Sequence, residues 1–133
     1  EMMDWLAQPH KCYYEEIQLL NDNQVHYNGL VHITGGGLLD NPPRVLSEDK
    51  KIVFSTNDLK TSDDRYFRKI QKLGNIDTDE MRRTFNCGIG FMIILAESNY
   101  YLLRDIFQRK GIEFHMIGSV LERTGTEPQV SFI

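Results

Sequence analysis

The sequence predicts an α+β domain in which helices pack on a mixed sheet. Three observations carry that expectation. Short apolar runs with β-branched residues alternate with stretches whose apolar residues recur every three or four positions. Gly and Pro punctuate the boundaries between these runs. The 133 residues, 41% apolar and 26% charged, suffice for one hydrophobic core and are too few for two.

Residues 13–20 (YYEEIQLL) place Tyr13, Ile17 and Leu20 on one helical face. Residues 29–34 (GLVHIT) read as a buried strand entering a tight turn of three glycines. Residues 38–46 hold a short helix limited by Pro42 and Pro43, because a proline lacks the N–H that an inner turn requires. Residues 51–55 (KIVFS) form a strand. Residues 63–73 set Tyr66, Phe67, Ile70 and Leu73 at helical spacing, with Gly74 as the expected stop. Thr78 opens another brief helix. Residues 88–95 (GIGFMIIL), the most apolar segment, read as a central strand. Residues 99–110 form an amphipathic helix closed by Gly111, and residues 113–120 and 129–133 supply two more strands. No repeat or linker divides the chain, so residues 1–133 are expected to form one domain.

Composition narrows the function classes. Fifteen Lys+Arg against nineteen Asp+Glu give a net charge of −4, which argues against a nucleic-acid binder that relies on general phosphate attraction. The longest apolar run, residues 91–96, falls far short of the ~20 needed to span a bilayer. The opening Glu1-Met2-Met3-Asp4 has neither a basic nor an apolar leader region, and a start at glutamate suggests a chain cut from something longer. The two cysteines, Cys12 and Cys87, form no CxxC pair, so reduced thiols and a cytoplasmic location are expected.

Two segments carry chemistry. In the first, a strand, a glycine turn and a helix start follow one another through Thr34, Gly35, Gly36 and Gly37. Glycine admits positive φ, and successive main-chain N–H groups in such a turn cradle anions. The plainer alternative is a tight turn without a ligand. His32 and Thr34 share one strand face at the mouth of that turn, with Val31 and Ile33 on the other. A lone strand histidine is more often structural than catalytic. No HxH or HExxH spacing occurs, so no transition-metal site is expected. In the second segment, Arg82 and Arg83 precede Thr84, Asn86 and the glycines Gly88 and Gly90. Arginine presents a fork of donors that suits phosphate, and the glycines leave room for a ligand or another backbone. Here the alternative is a solvated arginine pair before a packed strand. Cys87 reads as a core thiol rather than a nucleophile.

At these two motifs a family resemblance enters. HITGGGLLDNPPRVL (residues 32–46) and MRRTFNCGIGFMIIL (residues 81–95) resemble the C-terminal domain of the aminoimidazole ribonucleotide (AIR) synthetases, the phosphoribosylformylglycinamidine cyclo-ligases. That family reads HITGGGLxENIPRVL and EMxRTFNxGxGM at matching positions. Pro9-His10-Lys11-Cys12-Tyr13 is similar to the family's P-T-R/K-x-Y, and Ile117-Gly118-Ser119-Val120 to its I-G-x-V strand. His10 stands where the family usually has Thr, and Pro42 where it has Ile.

The resemblance implies a role in purine synthesis. With ATP and Mg²⁺, such an enzyme closes the imidazole ring of formylglycinamidine ribonucleotide to give AIR, ADP and phosphate. It also implies that His32 contacts the reacting region. Thr34, Gly35, Gly36, Gly37, Asn41, Arg44, Arg83, Thr84 and Asn86 would line or brace a phosphate-binding cleft. The family's N-terminal domain, which carries most ATP and metal ligands and the usual dimer interface, has no counterpart in this sequence. Nor does the first part of the C-terminal domain. The chain alone is therefore expected not to turn over substrate, and any homodimer would form through the missing domain or an exposed sheet edge. A non-catalytic phosphate-binding or assembly module derived from the same family is the alternative.

Overall fold

The structure, a computed structural model, describes residues 1–133. Its helices are α1 (Met2–Leu6), α2 (Tyr14–Asp22), α3 (Gly37–Asp40), α4 (Asp64–Gly74), α5 (Thr78–Thr84) and α6 (Glu97–Lys110). Its strands are β1 (Gly29–His32), β2 (Lys50–Phe54), β3 (Phe91–Ile94), β4 (Gly118–Glu122) and β5 (Val130–Phe132). The α+β class is as the sequence predicts. The mixed sheet is present in the order β4-β2-β5, with β2 antiparallel to β4 and parallel to β5. A separate antiparallel pair joins β1 to β3.

That separation corrects one expectation. The apolar run 88–95 pairs only with β1 and is not a central strand. Its first residues are held in a turn, because Cys87 and Gly88 adopt positive φ (52° and 90°), and pairing begins only at Phe91. Successive side chains of β3 point to opposite faces. Met92 packs with Val31, Ile33, Leu38, Ile52, Phe54, Ile89 and Val130, the cluster that ties the two sheets together. Ile93 and Leu95 lie instead against Leu20, Val25, Leu103, Ile106 and Phe107, which pack α2 against α6.

Other boundaries follow local chemistry. The helix α3 stops at Asp40, and Pro42 and Pro43 open a 3-10 turn, Pro42–Val45, where their missing N–H groups cost nothing. The helix α4 runs through Gly74, and Asn75 takes the left-handed cap (φ 49°), a conformation asparagine tolerates. Gly111 closes α6 with φ 66°, as the sequence predicts. Residues 113–117 lie outside any strand, and pairing starts at Gly118. The helix α1 carries no periodic signal and is held by Trp5, which stacks on Tyr66 at 4.6 Å and meets Phe67 edge-on at 5.1 Å. No helix is long and apolar enough to cross a membrane.

Candidate phosphate-facing site

The strand β1 delivers its residues in alternation. Val31 and Ile33 are buried, whereas His32 and Thr34 are exposed. The shared face expected for His32 and Thr34 is thus the solvent face of β1. Beyond it the chain enters the glycine turn, where Gly36 (φ 112°) and Gly37 (φ 55°) are left-handed. Asn41, buried to 2% exposure, fastens this turn from inside. Its Oδ1 accepts from the Thr34 N–H at 2.8 Å, and its Nδ2 donates to the Gly35 carbonyl at 3.2 Å.

The three glycines have different reasons to be glycine. A Cβ on Gly37 would lie 2.1 Å from the Arg82 carbonyl oxygen and 2.8 Å from that of Phe85. The main chain of α5 occupies the space beside Gly37. The Gly36 N–H donates to the Arg83 carbonyl at 3.1 Å, and the Gly37 N–H to the Thr34 carbonyl at 2.9 Å. Two of the three N–H groups that an anion cradle would use are therefore taken by protein. Gly35 alone faces open space, with no atom within 4 Å of a Cβ placed there.

The second motif meets the first at this turn. Arg83 is exposed, and its Nε stands 3.7 Å from Asp40 Oδ2, a loose pairing that leaves guanidinium donors free. Thr84 donates its hydroxyl to Glu80 at 2.7 Å, and Asn86 Oδ1 accepts from the Gly88 N–H at 2.9 Å. Those two side chains brace the end of α5 and the turn after it. Arg82 turns away and lies over the Phe132 ring at 3.7 Å. Arg44 is exposed in the 3-10 turn with no ionic partner, and no contact draws it toward His32 or Arg83. The space at Gly88 and Gly90 is filled from within the chain. Thr61 Oγ1 and the Tyr13 hydroxyl lie where Cβ atoms would stand, at 2.1 Å and 2.0 Å.

The half-buried Cys87 thiol contacts the Met81 and Phe85 carbonyls. Burial pushes its pKa up, with Arg82 only partly opposing, which disfavours the thiolate a nucleophile needs.

One partner escaped sequence reasoning. His10 Nε2 lies 2.7 Å from His32 Nε2, so one imidazole donates and the other accepts. Tyr13 stacks on Phe91 at 5.0 Å beside this pair, and Lys11 bonds Glu16 just beyond it. The only signal in the sequence is the histidine at a position where the resembled family has threonine. Chain separation hid the contact.

Comparison with known proteins adds three findings. A family model described as "AIR synthase related protein, C-terminal domain" matches residues 2–131. A Neisseria meningitidis serogroup C protein named phosphoribosylformylglycinamidine cyclo-ligase is 40% identical over 101 residues, 76% of this chain and 29% of that protein. Proteins of the same name from Leptospira interrogans and Ligilactobacillus salivarius are 35% and 31% identical over 99% and 94% of this chain, and over 37% and 35% of their own lengths. The chain thus spans about a third of the length of the curated relatives it matches.

Proposed function

Since the chain belongs to the AIR synthase related family through its C-terminal domain, we propose that it supplies one part of an ATP-dependent cyclo-ligase. The reaction closes the imidazole ring of formylglycinamidine ribonucleotide to AIR in purine synthesis. The observation that carries the reading is the docking of the glycine turn on the end of α5. It brings exposed His32, Thr34, Gly35 and Arg83 to the neighbourhood of one turn.

ATP, when bound, supplies the phosphoryl group that turns the formamide oxygen into a leaving group. The residues of this chain bind and orient. Arg83 offers its free guanidinium donors to a phosphate, and Gly35 lets phosphate oxygens approach the main chain closely. The Thr34 hydroxyl adds a donor beside them. His32, its ring fixed by His10, stabilises charge or moves a proton at its ring nitrogen where the ribonucleotide reacts. Gly36, Gly37, Asn41, Thr84 and Asn86 hold the shape of this surface through the bonds described above. Arg44 reaches the site only if substrate extends over the 3-10 turn. No three His, Cys, Asp or Glu side chains converge in the chain.

The test combines this chain with the portion of the L. interrogans relative outside its 132 matched residues, expressed separately. AIR is assayed with ATP, Mg²⁺ and formylglycinamidine ribonucleotide. We expect AIR from the mixture and none from the chain alone. His32→Ala should lower the rate roughly a hundredfold or more while the mixed complex still forms. Phosphate or nucleotide binding without AIR would establish the non-catalytic alternative.

A further inference from the structure

The contact between His10 and His32 has a chemistry of its own. Their Nε2 atoms lie 2.7 Å apart, and both side chains are exposed. The ring centroids stand 4.7 Å apart, so the two nitrogens are the parts of the rings that meet. Both rings are backed by aromatic side chains. His32 faces Phe91 across the ladder of β1 and β3, with ring centroids 6.1 Å apart. Tyr13 stacks on Phe91 at 5.0 Å and lies 6.0 Å from His10. The Tyr13 hydroxyl fills the space beside Gly90, and Lys11 bonds Glu16 of α2. The short segment that carries His10 is thus tied to α2 and to the turn before β3. Two ligands brought together in advance cost less entropy to order around a third body.

The spacing suits a shared metal ion. With metal–nitrogen distances of about 2.0–2.1 Å, two imidazoles on one ion stand roughly 2.9 Å apart at a right angle and about 3.4 Å apart at the tetrahedral angle. The pair has to open by only about 0.2 to 0.7 Å, with a rotation of the exposed rings that aims both lone pairs at one point. In the neutral pair one Nε2 carries the shared hydrogen. An ion takes both Nε2 lone pairs, and the donor ring moves its hydrogen to Nδ1, so no proton is gained or lost.

We propose that His10 and His32 form a two-histidine site for a divalent transition-metal ion of the class that prefers imidazole, Zn²⁺, Ni²⁺ or Cu²⁺. Water completes the coordination, because no third His, Cys, Asp or Glu side chain converges there. The ion therefore exchanges, unlike a structural zinc held by four protein ligands. Mg²⁺ takes oxygen ligands and does not compete for the pair. No HxH or HExxH spacing announces the site, since the two ligands lie 22 positions apart. An ion here occupies His32 Nε2, and under the functional reading above it withdraws that ring from the reaction. The site itself stands without that reading.

Titration of the chain alone with Zn²⁺ and with Ni²⁺ tests it, followed by calorimetry and by the imidazole NMR signals. One ion should bind per chain, and the signals of His10 and His32 should be the ones that shift or broaden. His10→Thr and His32→Ala should each weaken binding at least about tenfold. Both positions are exposed, and the amide spectrum of β1 and β3 checks that the fold is intact in each variant. Cys12→Ser and His115→Ala remove the exposed thiol and the histidine that bonds Glu113, and they should leave the affinity unchanged. Mg²⁺ should shift neither imidazole. The absence of saturable binding overturns the proposal. So does affinity that survives His10→Thr, or that is lost with Cys12→Ser or His115→Ala, because the ion then sits elsewhere.

Discussion

Gly37 is the residue whose identity is most tightly constrained by its surroundings. A side chain there would meet the Arg82 carbonyl at 2.1 Å and would also have to accept a φ of 55°. Gly37→Ala should therefore destabilise the fold by about 2 kcal/mol or more, the sum of overpacking and left-handed strain. Gly35→Ala, with open space around it, should cost well under 1 kcal/mol. Urea unfolding of the two variants makes the comparison, and equal losses would refute the division of roles among the three glycines. The glycines themselves were legible in the sequence, as was the face shared by His32 and Thr34. What fills the space beside each glycine was not, because the Arg82 carbonyl and the Tyr13 and Thr61 side chains come from distant parts of the chain.

At the scale of elements, legibility followed how local the cause is. The α6 stripe and its Gly111 cap, and the proline pair that ends α3, were readable because their causes lie within a few residues. The helix α1 and the edge position of β3 were not, since one depends on Trp5 meeting α4 and the other on which strands lie alongside. The start of β2 shows how tertiary contacts secure an element. Lys51 bonds Glu127 at 2.6 Å, and Lys50 bonds Asp49 at 2.6 Å and Glu122 at 3.0 Å. The hydrogen bond from Lys50, then that from Ser47, holds the Asp49 carboxyl at about 2. The bond from Lys51, then those from Thr124, holds Glu127 at about 2 as well. Both folded pKa values lie below the ordinary carboxylate range near 4. The stabilisation they give is thus complete above about pH 4.5 and lost as pH falls toward 2. Carboxyl-carbon NMR titration should find both midpoints near 2, and Lys51→Met should return Glu127 toward 4. A Glu127 midpoint that ignores the substitution would show that the lysine does not hold it.

For the molecule as a whole, the distribution of burial matters more than any single contact. Only 18 of 133 residues are buried, and in the apolar run around β3 Met92 is buried while Phe91, Ile93, Ile94 and Leu95 are half-buried. The chain leaves 8632 Å² accessible, against roughly 7200 Å² for a compact chain of its mass, so alone it should sit near the low end of domain stability. Any partner that binds only the folded form must then raise its stability by mass action. At a hundred times the dissociation constant the gain is about 2.7 kcal/mol, which for a domain of this size moves the melting temperature by on the order of 10 °C. Scanning calorimetry of the chain with increasing amounts of the complementary portion should show this rise. A melting temperature that stays constant would show that the complementary portion does not bind the folded chain. Because the stripe in α6 and the apolar run of β3 were both plain in the sequence, the apolar side chains of this core could be read there. How those side chains divide between two clusters could not, since that depends on which strands and helices lie alongside one another.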